Sequence, residues 1–125
     1  MIDSDAWSNV IKECKVDKQT REEHAEVHTP EELINDMLDQ IPEEKFGDPS
    51  ATFLDPCSGL GDFPLEICDR LMQGIRHSIP NESERYRHIM ENQIYMVEIQ
   101  HDNALRIVTL FTNGGEIPLD LNLKI

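Results

Sequence analysis

Phe53-Leu-Asp-Pro-Cys-Ser-Gly-Leu-Gly-Asp-Phe63 decides how this chain is read. A short apolar run ends in an acid, Asp55. Pro56 then opens a small-residue loop with Gly59 and Gly61, and an amphipathic segment follows. That order spells strand, tight turn, helix N-terminus. Such a turn is expected to present bare backbone N–H groups and the positive end of a helix to a ligand. The loop has no lysine and does not match the phosphate-binding pattern Gly-x4-Gly-Lys-Ser/Thr, so a triphosphate would lack its charge partner. A dinucleotide fingerprint needs Gly-x-Gly-x-x-Gly, and Pro64 stands where the third glycine would be.

Outward from the loop, strands and helices alternate. Thr29-Pro30-Glu31-Glu32 predicts a helix start, with Thr29 as N-cap, Pro30 in the first helical position and Glu32 completing a capping box. Leu33, Ile34, Met37, Leu38 and Ile41 recur at helical spacing until Pro42 stops them. Ala51 to Asp55 predicts a buried strand. A helix from Asp62 or Phe63 carries Phe63, Ile67, Cys68, Leu71 and Met72, with Gly74 as its C-terminal stop. Ser83 to Asn92 predicts a helix, Ile94 to Ile99 a strand, Ala104 to Phe111 a helix and Leu121 to Ile125 a third strand, after a turn at Asn113-Gly114-Gly115. This alternation predicts an α/β fold of parallel strands joined by helical crossovers, part of a doubly wound, Rossmann-like sheet. Residues 1–26 read as an amphipathic stretch around Trp7, Val10 and Ile11 followed by a charged connector. Residues 27–125 read as a domain incomplete at its C-terminal end, because the chain ends inside an apolar strand.

Composition narrows the function. Twenty-five acids against 11 Lys+Arg give a net charge of -14. A nucleic-acid grip draws much of its affinity from phosphate neutralisation, so any DNA contact is expected to lie outside this chain. The acidic runs at 21–26, 31–44 and 82–91 read as solvated faces, with docking of a basic partner or mimicry of DNA charge as the alternative. Cys14, Cys57 and Cys68 are an odd number without metal-ligand spacing, which predicts buried or half-buried free thiols in a reducing cytoplasm. His24 and His28 lie four apart but precede the predicted helix and have no zincin carboxylate between them, so no metal site is expected. No apolar run approaches the ~20 residues of a membrane span, and no signal peptide is evident.

The acids beside the loop name a ligand chemistry. Asp55 ends one strand, at the edge where open α/β sheets bind ligands, and can accept from an ammonium group. Glu98 ends the next strand, a place suited to the two hydroxyls of a ribose. An ammonium together with a nucleoside sugar, and without phosphate, describes S-adenosylmethionine.

Three blocks carry a family resemblance. Glu26-Val-His-Thr-Pro-Glu-Glu-Leu33, Phe53 to Phe63, and Ile94 to Ile99 with Gln100-His101-Asp102-Asn103 occur in that order. Together they resemble the amino-terminal part of S-adenosylmethionine-dependent N6-adenine DNA methyltransferases, of the type whose cofactor motifs precede the catalytic one. The resemblance covers residues 24–112. It implies that Thr29 and Pro30 lie against the methionine end of the cofactor. It implies that Asp55 addresses the amino group and that Pro56, Cys57, Ser58, Gly59, Gly61 and Asp62 wrap the ligand. Phe63 would pack on it, Glu98 would hold the ribose, and Ile99 would lie beside it. The loop departs from the family's Asp-Pro-Ala-Cys-Gly-Ser-Gly-Asn-Phe: its Cys is one place early and Leu60 replaces a small residue, while Gly59 and Gly61 stay in register. The family's Asn/Asp-Pro-Pro-Tyr/Phe catalytic loop is absent. The resemblance therefore implies the cofactor-binding part of a DNA modification or restriction-modification enzyme, with no catalytic residue of its own. The alternatives are a non-catalytic acidic interaction module on the same fold, and an S-adenosylmethionine-dependent enzyme acting on RNA or protein.

Overall fold

A computed structural model describes residues 29–125. The amphipathic stretch around Trp7, the charged connector, Cys14, His24 and His28 lie outside the described residues. The elements run α1 (Glu31–Leu38), α2 (Glu43–Phe46), β1 (Phe53–Asp55), α3 (Asp62–Gly74), α4 (Glu82–Asn92), β2 (Ile94–Val97), α5 (His101–Phe111) and β3 (Asn122–Lys124). The three strands form one parallel sheet in the order β1-β2-β3. This is a small α/β arrangement, as the alternation predicts.

Strand register explains which face is buried. Leu54 pairs with Tyr95, and Tyr95 with Asn122. Successive side chains alternate faces, so these three share one face of the sheet. Leu54 is 65% exposed and Tyr95 38% exposed. Phe53, Ile94 and Met96 point the other way and are buried with Ile34, Leu38, Leu71, Tyr86, Ile89, Ile107 and Phe111 in a single core. Each such side chain contributes on the order of 1.5–3 kcal/mol. The helices of the described residues thus pack on one face of the sheet.

Several boundaries differ from those predicted. Thr29 is not an N-cap: α1 begins at Glu31, Pro30 occupies the cap position in an extended conformation, and no side chain among the described residues caps it. The Thr29 N–H instead donates to Asp62 Oδ2, 3.3 Å away. The helix also stops at Leu38 rather than near Ile41, and Ile34 and Leu38 are its buried residues. Leu33 and Met37 are about half exposed, at 48% and 51%. Pro42, expected only as a stop, caps the short helix α2. That helix exists because Phe46 is buried, stacked on Phe53 with ring centroids 5.2 Å apart.

Gly74 is the last residue of α3 rather than a left-handed stop after it. What it supplies is space, since a Cβ there would lie 2.0 Å from the Phe46 carbonyl oxygen. α4 starts at Glu82, where Asn81 accepts from the Glu84 N–H. α5 starts at His101, a turn earlier than its apolar pattern. The strands are shorter than predicted, leaving Glu98 just beyond β2. Asn113, Gly114 and Gly115 all have positive φ, as their turn requires.

Candidate functional site

The site is built where β1 and β2 end. β1 delivers Asp55, and Gly61 in the left-handed region (φ 88°) turns the chain into α3. Gly59 also has positive φ (55°) with open space around it, which an L-residue could occupy only with strain. Ser58 is buried: its N–H donates to the Val97 carbonyl at 2.9 Å, and its hydroxyl to the Asp55 carbonyl at 3.2 Å. The loop is thereby sewn across the ends of both strands.

The expected row of bare amides is not there. Cys57 N–H donates to Asp55 Oδ1 at 3.1 Å, Gly59 N–H to Glu98 Oε1 at 2.9 Å, and Gly61 N–H to the Ser58 carbonyl at 2.8 Å. With Ser58 bonded to Val97, four loop amides are already used by the chain's own acceptors. The physical reason is that the two acids lie within reach of the loop. A carboxylate accepting a backbone N–H makes a charge-assisted bond that a neutral ligand oxygen does not match.

What remains exposed to a ligand is acceptor capacity. Asp55 Oδ2 is buried and has no hydrogen-bond partner among the described residues. Burial pushes the Asp55 carboxyl above its usual 3.8, the bond from Cys57 draws it back, and the negative charge of Glu98 pushes it up again. Glu98 is 6% exposed and accepts three donors: Gly59 N–H, Gln100 N–H at 3.0 Å and Asn103 Nδ2 at 3.4 Å. An ionised carboxylate has about four lone-pair sites, so acceptor capacity remains there too. Two acids this close repel one another, and a cation or a set of hydroxyl donors relieves both.

The other predicted residues fall around this pair. Asp62 opens α3 and, through Thr29, holds the segment before α1 against the loop. Phe63 is partly buried against the core. Ile99 is 79% exposed directly after Glu98, a bare apolar side chain beside the acids. Cys57 is an exposed free thiol, contrary to the expectation of a buried or half-buried one, because its side chain leaves the loop while its N–H turns in; Cys68 is fully buried. Sequence reasoning missed Gln100 and Asn103, which complete the set of donors on Glu98. The signal was available, since Asn103 lies one helical turn from the cap of α5.

A cavity of about 840 Å³ adjoins the site on the other side of Asp55, along the free edge of β1. Met37, Ile41, Lys45, Leu54, Pro56 and Phe63 are among the residues lining it. Asp55 also lines it, while Glu98 and the Cys57–Gly61 loop do not. Among the described residues no cluster of His, Cys, Asp and Glu could hold a metal ion. No helix among them is long and apolar enough to cross a membrane.

A protein of Mycoplasma pneumoniae (strain ATCC 29342 / M129 / Subtype 1), described as an uncharacterized adenine-specific methylase, is 35% identical over 85 residues. The chain is similar to a methylase. The match takes in 66% of this chain and 20% of that protein, so the chain spans about a fifth of its relative's length. No family model matches.

Proposed function

We propose that this chain is the S-adenosylmethionine-binding portion of an adenine N6-methyltransferase acting on DNA. The observation that carries the reading is the unpartnered, buried Oδ2 of Asp55 beside the carboxylate of Glu98. With four loop amides already bonded and two acids at the strand ends, a phosphate would meet repulsion and find few donors. A ligand bearing an ammonium, a sulfonium and two hydroxyls has the complementary chemistry. The 35% identity to a protein described as an adenine-specific methylase supports the same class.

In this reading Asp55 Oδ2 accepts from the ligand's ammonium group, and Glu98 accepts from the ribose. Ile99 gives the adenine ring an apolar surface. Thr29 and Pro30, held in place by Asp62, border the methionine end, and Phe63 packs against it. The cofactor would supply an electrophilic methyl group; this chain's part is to bind and orient it, which is where positioning contributes to rate. In this reading none of the described residues holds the target base, extrudes it from the duplex or grips DNA.

Equilibrium dialysis with radiolabelled S-adenosylmethionine tests the reading. Saturable binding is expected, displaced by S-adenosylhomocysteine and not by ATP or NAD, and lost in Asp55→Ala. Binding of ATP in preference, or no retention at millimolar cofactor, would refute it.

A further inference from the structure

We infer that Asn103 is a ligand-binding residue, the group that lets the Glu98 site take a vicinal diol. The inference rests on the nucleoside reading above and adds a residue to it. Glu98 has about four lone-pair sites. Gly59 N–H takes one at 2.9 Å and Gln100 N–H another at 3.0 Å. Both are backbone donors fixed by the fold, one in the loop and one at the cap of α5. Asn103 Nδ2 takes the third at 3.4 Å, and its only other hydrogen bond among the described residues is to Gln100 Oε1 at 3.5 Å. Those two distances are at the long end of hydrogen bonding and describe weak bonds.

Two hydroxyls need two acceptor sites, and one is free. The second must come from one of the three bonded donors. Releasing Gly59 would reopen the loop, and releasing Gln100 would strip its backbone N–H of the acceptor that fixes the entry to α5. Releasing Asn103 costs two weak bonds and a side-chain rotation. Once released, its carboxamide is still beside Glu98. Its Nδ2 can donate to a hydroxyl oxygen whose own hydrogen points at the carboxylate. Asn103 thus moves from internal partner to ligand partner, and a sugar bearing both hydroxyls is favoured over a deoxy sugar that bears fewer.

Calorimetric titration of S-adenosylhomocysteine and of its 2′,3′-dideoxy analogue into the wild-type chain and Asn103→Ala separates the outcomes. Loss of hydrogen bonds involving a charged acceptor is expected to make the wild type favour the ribose form by about 10-fold or more. Asn103→Ala should weaken the ribose form several-fold and leave the dideoxy analogue unchanged, so the ratio shrinks. The side-chain amide signals of Asn103 should shift on adding the ribose form. An unchanged ratio, whether because neither affinity moves or because both fall together, overturns the role given to Asn103 while leaving the cofactor reading standing. A wild-type chain that binds neither compound overturns the cofactor reading, and this inference with it.

Discussion

In the proposed reading, Asp55 sets a conflict between stability and binding within one side chain. Its carboxyl is raised above the usual 3.8, chiefly by burial. A raised acid binds its proton more tightly in the folded than in the unfolded chain, so stability falls as pH rises through that interval. Above the folded pKa, Asp55 costs stability; below the unfolded value the cost is gone. Asp55→Asn keeps an oxygen for the Cys57 N–H and removes the charge. It should raise the melting temperature at neutral pH by an amount reflecting up to about 1 kcal/mol, modest because the side chain is only half-buried. The gain should shrink as pH falls toward 3.8, which thermal melts at several pH values would show. The same variant should lose cofactor binding, because a neutral amide cannot match the ammonium. In the wild type, affinity for an ammonium ligand should fall as pH drops through the raised pKa, since the protonated carboxyl no longer attracts a cation.

At the scale of elements, α2 and the loop show what the sequence conveyed and what it did not. The 3.6-residue periodicity of α3 and α4 needs only local spacing, and both helices lie where it places them. α2 has four residues, too few for a period, and follows a proline that reads as a terminator. Its cause is tertiary: Phe46 stacks on Phe53, Arg70 lies over the Phe46 ring at 5.4 Å, and Gly74 lets the two backbones meet. Gly74→Ala should therefore destabilise by about 3 kcal/mol or more, as overpacking against backbone does. Gly59→Ala, which meets nothing within 4 Å, should cost only the left-handed conformation, about 1–2 kcal/mol. Chemical denaturation of both variants gives the comparison, and equal losses would contradict it. The loop's glycines were legible as a strand-to-helix turn, and both acids as strand-end residues. The use of its amides was not, because Gly59 finds its acceptor 39 residues away on Glu98.

For the whole molecule, parallel topology was legible from alternation, since parallel strands require crossovers. The open face was not, because Leu54 and Tyr95 are as apolar as the buried strand residues beside them. Parallel sheets are ordinarily covered on both faces, and here Leu54 is 65% exposed on the edge strand. Phe53 N–H bonds to Gln93 O, so by alternation the N–H and C=O of Leu54 point away from β2, to an edge that no strand among the described residues pairs. Such an edge invites pairing, opposed by the net charge of -14. Sedimentation velocity should show self-association that grows as salt screens this charge, and Leu54→Lys should suppress it. Association that salt weakens would assign it to ion pairs instead.

We propose that a nucleoside-bearing ammonium ligand sits between the acids at the ends of β1 and β2, and not along the rest of the cavity that Asp55 lines at the β1 edge. Two-dimensional amide spectra of the labelled chain, titrated with S-adenosylmethionine, test it most directly. Saturable shifts should centre on Cys57, Ser58, Gly59, Gln100 and Asn103 and spare Ile41, Lys45 and Thr52. Shifts centred on those cavity residues, or no shifts at millimolar ligand, would contradict the account.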